Sequence, residues 1–175
     1  MGPVEAIRTC FAKYADFSGR ASRPEFWWFT LFGILLGFLL MGLEVALGFD
    51  PLAEPGEGVP VSYILQELRI APLNTLGSLA LFCPSLAVTA RRLHDRGGSG
   101  WLQAIPIGAL LILWTLDLLM ALSAPLAAAL GYVHIAVTLG AIASAVWLFV
   151  QLASRSHPAP NRYGPPPLAS GQAAP

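Results

Sequence analysis

Charge is scarce in this chain. Only 11% of its 175 residues are Asp, Glu, Lys or Arg, against about a quarter in an ordinary soluble domain, while 55% are hydrophobic. A chain so short of charge cannot cover a water-facing surface, and the imbalance points to lipid. Cysteine is scarce too. Cys10 lies in a polar N-terminal segment and Cys83 in an apolar run, which excludes a disulfide framework and a metal site of CxxC spacing. Ten basic and ten acidic residues cancel, so net charge gives no argument for nucleic acid, and the information lies in how the charges are distributed. A short apolar leader is also lacking: the first 25 residues are mixed polar and the first apolar run is 24 residues long, so no cleavable signal peptide is expected.

Long apolar runs are what the chain does have. Phe26 to Phe49 carries one charge, Glu44, and is long enough to cross a hydrocarbon core about 30 Å thick. Ile70 to Ala90 holds no charge, with Pro72 suited to a first helical turn and Pro84 to a kink. From Trp101 to Ser154 the one formal charge is Asp117. As a single helix this stretch would reach about 80 Å, so two spans must share it. Pro125 and Gly131 bracket the turn expected between them, giving spans near 101–123 and 131–153. The expected fold is an all-α integral membrane domain, residues 1–154, with four transmembrane helices.

Orientation follows from counting Lys and Arg beside the spans. Arg8, Lys13, Arg20 and Arg23 precede the first, Arg91, Arg92 and Arg96 separate the second and third, and Arg155 and Arg162 follow the fourth. Nine of ten basic residues therefore share one side, while Arg69 with Asp50, Glu54, Glu57 and Glu67 occupies the other. Both termini are expected in the cytoplasm and the acidic loop outside. Phe26 to Phe29, Trp101, Trp147 and Phe149 lie near span ends, as interfacial anchors do. Val4, Ile7, Cys10, Phe11 and Tyr14 share one side of a helical wheel, which predicts a short amphipathic helix in the membrane surface. Residues 155–175, rich in Pro, Ala and Gly, are expected to be disordered beyond their first few.

Two motifs outside the spans, and three residues within them, could carry chemistry. In "FSGRASRPEFWW", Ser22 is placed to cap the first span and Glu25 to complete a capping box, with Pro24 in the first turn. In "ARRLHDRGGSGW", Arg91, Arg92 and Arg96 complement a helix C-terminus and Gly97 or Gly98 can end the helix. Asp95 is expected to pair with arginine. His94 as a metal ligand or general base lacks partners, since His134 falls inside a span and His157 in the tail. No cofactor is therefore expected. "DRGGSG" lacks the order of a nucleotide-binding loop. Arg91 or Arg92 is expected to bond an acid or a helix-end carbonyl, tying this turn to the start of span one. Arg20, Arg23 and Arg96 are expected to face anionic lipid. Within the spans, Glu44, Asp117 and His134 are ionisable groups that could converge on a titratable cluster. The small-residue series Gly33–Gly37 and Ala136–Gly140–Ser144 predict close helix packing, within one chain or between two.

Together with "NRYGPPP", these motifs resemble the bacterial family called domain of unknown function 805, small polytopic inner-membrane proteins. The likeness covers about residues 11–167. It rests on Ser18, Gly19, Arg20, Ser22, Arg23, Glu25 and Trp27, on Arg91 to Asp95 with Ser99, Gly100 and Trp101, and on Asn161, Tyr163 and Gly164. It implies a helical, multi-spanning plasma-membrane protein and no particular reaction. A longer acidic external loop and a longer tail depart from the family pattern. The expected function is a non-enzymatic membrane protein whose basic cytoplasmic face binds anionic lipid or a partner protein. The alternative is a small channel or transporter using Glu44, Asp117 and His134.

Overall fold

The computed structural model describes residues 1–50 and 69–167, and among these it is helical apart from turns and connecting segments. Glu54, Glu57 and Glu67 of the acidic loop lie outside the described residues. Helix α1 spans Pro3–Ala12, α2 Arg23–Ala46 and α3 Pro72–Asp95; a 3-10 turn, Gly100–Gln103, leads into α4, Ala104–Leu122, and α5 follows at Ala124–Ala153. Among the described residues four segments are long and apolar enough to cross a membrane: α2, α3, the 3-10 turn with α4, and α5.

Local chemistry sets the boundaries. Ser22 accepts the Glu25 amide at 3.3 Å and Pro24 sits in the first turn, so α2 begins where the capping box was expected. Helix α3 runs past Ala90 to Asp95, five residues beyond the apolar run. Hydropathy marks where lipid would end, and a helix whose arginines find partners inside the protein can continue further. The expected turn at 125–131 is corrected to Ser123. Its hydroxyl accepts the Leu126 amide at 3.4 Å and Pro125 falls in the first turn of α5, so the residues read as a break are a helix start.

Helix α2 packs on α3, α4 forms a hairpin with α5, and α1 lies across α2 and α3. Gly33 and Gly37 face Leu81 and Asn74 of α3, so the first small-residue series serves packing within the chain. Gly140, from the second series, faces open space. Phe11 meets Phe29 and Phe32 edge to face, and the Tyr14 hydroxyl donates to the Ala80 carbonyl at 2.6 Å, which docks α1 on the bundle. The buried apolar cluster, Cys10, Ala21, Phe26, Phe29, Val88, Leu93 and Leu152, lies at the end of the bundle where α3 and α5 finish. Elsewhere the faces of α4 and α5 are apolar and exposed, Leu110, Leu111 and Leu139 among them, as lipid-facing surfaces are.

Residues 155–167 correct the expectation of a disordered tail: they fold back over the end of α3 and the loop before α2. Asn161 and Gly164 exchange backbone hydrogen bonds in a tight turn, and Gly164 takes a positive φ of 124°.

Candidate functional site

Six charged side chains are buried among the described residues, and five of them meet at this end of the bundle: Arg20, Glu25, Arg91, Arg92 and Asp95. Burying a charge is costly unless it is paired and hydrogen-bonded, so each placement needs its partners. Asp95, at the last turn of α3, accepts the Arg20 Nε at 2.9 Å and pairs through its other oxygen with Arg92. The Arg20 Nη2 also lies 2.8 Å from Asp95 Oδ1, and both terminal nitrogens reach the tail. Nη1 reaches the Ala159 carbonyl at 2.9 Å and that of Gly164 at 3.3 Å, and Nη2 that of His157 at 2.5 Å. Arg92 turns to α5, where its Nε donates to the Leu152 carbonyl at 3.0 Å and Nη2 to that of Ser154. These carbonyls lack partners of their own at a helix C-terminus, and a guanidinium there complements the dipole. Asp95 with its two arginines thus joins the loop before α2, the end of α3, the end of α5 and the tail.

A second pair lies beneath α1. Arg91, wholly buried, stands 3.1 Å from the Glu25 carboxylate. The contact is ionic: Glu25 Oε1 and the three Arg91 guanidinium nitrogens are buried with no hydrogen-bond partner among the described residues. Cys10 packs against the pair, and burial first, then the neighbouring Glu25 charge, pushes its thiol up to about 12. Asp16 is held below the usual carboxylate range by the Ser18 hydroxyl and amide it accepts, which shapes the approach to Gly19 at φ 76°.

His94 is locked between loop and tail. Its Nδ1 lies 3.1 Å from the Gly19 carbonyl, its ring stacks on Tyr163 with centroids 3.7 Å apart, and its own carbonyl accepts from the Asn161 side-chain Nδ2 at 2.9 Å. A carbonyl can only accept, so Nδ1 carries the proton, and in the neutral imidazole Nε2 holds a lone pair. Gly97, at φ 80°, ends α3 as expected. Trp101 is 83% exposed, beside the groove between α3 and α4.

Sequence reasoning paired Arg91 or Arg92 with an acid or a helix end. The structure gives the acid to Arg91 and both an acid and a helix end to Arg92. Arg20 differs from its expected lipid-facing place because the tail supplies carbonyls that composition does not reveal. Arg23 and Arg96 are exposed, and Arg96 also donates to the Arg155 carbonyl at 2.7 Å. Glu44, Asp117 and His134 fall into two pairs on different helices. Glu44 accepts from the Asn74 amide at 2.9 Å and side chain at 2.7 Å, whereas His134 meets Asp117 at 3.0 Å. The place of Cys10 against Glu25 and Arg91 was missed, and its position on the apolar side of α1 was the available signal.

Over residues 14–165 the chain matches the family described as protein of unknown function (DUF805). It belongs to that family. The inner membrane protein YhaI of Escherichia coli strain K12 is 36% identical over 87 residues, which are 50% of this chain and 58% of that protein. The inner membrane protein YhaH of the same strain is 38% identical over 104 residues, 57% of this chain and 74% of that protein. The chain thus spans little more than half the length of YhaI. No solved structure matches. Four membrane-crossing helices and relatives so named make this a multi-pass bacterial inner-membrane protein.

Proposed function

We propose that the protein is a non-enzymatic membrane component whose arginine-rich end lies in the cytoplasm and engages anionic lipid headgroups. One observation carries this reading: the division of labour among the cations at that end. Arg20, Arg91 and Arg92 are buried with Glu25 and Asp95, leaving Arg8, Lys13, Arg23, Arg96, Arg155 and Arg162 exposed beside Glu5 and Asp16. Six exposed cations against two exposed acids is a surplus of four on the outer surface. Each cation near an anionic leaflet contributes about 1 kcal/mol. The interlock fixes the scaffold and the outer ring meets the headgroups. The cytoplasmic placement rests on the same nine basic residues.

Native mass spectrometry of the full-length protein, partly stripped of lipid and offered phosphatidylglycerol or phosphatidylcholine, tests the reading. Phosphatidylglycerol should be retained preferentially, and the triple variant Arg23→Gln, Arg96→Gln, Arg155→Gln should lose much of the preference. Equal retention of the two lipids by the native chain overturns the proposal.

A further inference from the structure

Beside the interlock, and separate from the exposed cations, an apolar groove of about 640 Å³ opens between the end of α3, the start of α4 and the tail. That is within the range of small-molecule sites, which pair apolar walls with a few placed polar groups. Leu86, Ala90 and Ile107 contribute apolar wall, and His94 and Gln103 contribute polar groups.

His94 Nε2 lines this groove and has no hydrogen bond among the described residues: with the Gly19 carbonyl holding the proton on Nδ1, the neutral imidazole turns a lone pair toward the groove. Gln103 is fixed by its amide nitrogen, which donates to the Leu86 carbonyl at 3.3 Å, and its oxygen is enclosed within the protein. The groove also depends on a missing side chain. A Cβ on Gly100 would stand 3.1 Å from His94 Nε2 and 2.8 Å from the Ala90 Cβ, so any other residue would crowd the imidazole edge.

We infer that this groove binds a neutral, hydroxyl-bearing lipid, whose hydroxyl donates to His94 Nε2 and whose apolar body lies along Leu86, Ala90 and Ile107. The chemistry follows from the groove wall. His94 Nε2 is an acceptor, so the ligand must bring a donor. The wall carries no Lys, Arg, Asp or Glu, so a phosphodiester or an ammonium would be desolvated there without a counter-charge. A hydroxyl on an otherwise apolar molecule satisfies the site at the depth where α3 leaves the membrane.

Photo-crosslinking of the full-length protein in phosphatidylcholine nanodiscs tests this, because phosphatidylcholine has no hydroxyl to compete. The probe is a monoacylglycerol with a diazirine in its acyl chain, and adducts are mapped by mass spectrometry. They should fall on the groove walls, and monoolein should compete at least about tenfold better than its di-O-methyl ether, the ratio expected for one buried hydrogen bond. Decylhydroquinone as a second competitor separates a glyceride head from a dihydroxy ring: whichever competes at lower concentration names the head. His94→Asn can still donate to Gly19 yet lacks Nε2, and should bring monoolein and its ether to equal potency. Ala104→Phe, at an exposed lining position, should fill the groove and remove the adduct while leaving thermal stability unchanged. Equal competition by monoolein and its ether in the native chain, or adducts spread over the outer faces of α4 and α5, overturns the inference.

Discussion

The two ends of this bundle treat charge in opposite ways. At the end shared by α3 and α5 five charged side chains are buried: Asp95 with Arg20 and Arg92 ties the loop before α2, two helix ends and the tail together, and Glu25 pairs with Arg91 beside them. Toward the other end, Glu44 with Asn74 and Asp117 with His134 each join two neighbouring helices. The Asp117 side chain is 59% exposed. A network that spans distant segments holds the fold's connectivity, because removing one charge strands the others. A local pair between adjacent helices can be lost while the apolar packing around it persists.

The comparison breaks most sharply at Asp95. Asp95→Asn leaves Arg20 and Arg92 buried without their shared counter-charge, and losing one partner of a buried pair costs about 3–5 kcal/mol. Thermal unfolding in detergent should show the largest loss here. Limited proteolysis should cut the variant between 155 and 167, since the tail is held through Arg20. A variant as stable as the native chain, with a protected tail, would mean that Asp95 does not organise this end.

Glu25 and Arg91 give the next largest effect. Glu25→Ala or Arg91→Ala alone should cost about 3 kcal/mol, the lower figure for breaking a buried pair. The double variant should cost clearly less than the sum, because groups in direct contact are not additive. Glu25→Ala and Asp95→Asn, in different pairs, should add more nearly. Strict additivity between Glu25 and Arg91 would contradict the 3.1 Å pairing.

Much of this contrast was legible in the sequence, and the parts that were not share a cause. Apolar length and basic flanks locate four spans, and Ser22 to Glu25 locates the start of α2, because hydropathy and capping are local properties. The turn before α5 was misplaced because Pro125 stands both in loops and in first helical turns. What decides between them is the Ser123 cap two residues earlier. Which arginine is buried was half legible. Asp95 and Glu25 signal that partners are needed, but the acceptors for Arg20 are backbone carbonyls, and every residue carries one. The motif "NRYG" was the visible trace of the ordered tail, and its Pro-rich surroundings concealed it.

Cys10 offers a smaller and pH-dependent reading of the interlock. Its thiol is raised from an ordinary 9.0 to about 12. Between these values the unfolded chain has lost the proton and the native chain keeps it, so stability is full below pH 9 and falls as pH rises toward 12. Cys10→Ala should flatten that decline. At pH 9, iodoacetamide should alkylate Cys10 in the native protein at least about tenfold more slowly than in denatured chain, since the thiolate is the reactive form. Comparable rates would place the thiol in solvent, away from Glu25 and Arg91.

The smallest effect belongs to Asp117, and it also tests the channel or transporter alternative. The Asp117–His134 pair is at 3.0 Å, but its acid is more than half exposed. An exposed pair contributes at most about 1 kcal/mol, so Asp117→Asn should shift the unfolding midpoint by no more than a few degrees. It cannot strand a buried charge, because the imidazole is neutral when unprotonated and has an adjacent amide to bond. Proton flux in proteoliposomes is the sharper measurement. A proton path needs titratable groups within relay distance of one another, and Glu44 is committed to Asn74 on the α2–α3 side while Asp117 and His134 sit on the α4–α5 hairpin. Flux should therefore be the same for native protein, Asp117→Asn and empty vesicles. A native flux that disappears in Asp117→Asn would make the hairpin pair a transport site, and would reverse the contrast by placing the working charges at the end where they are least buried.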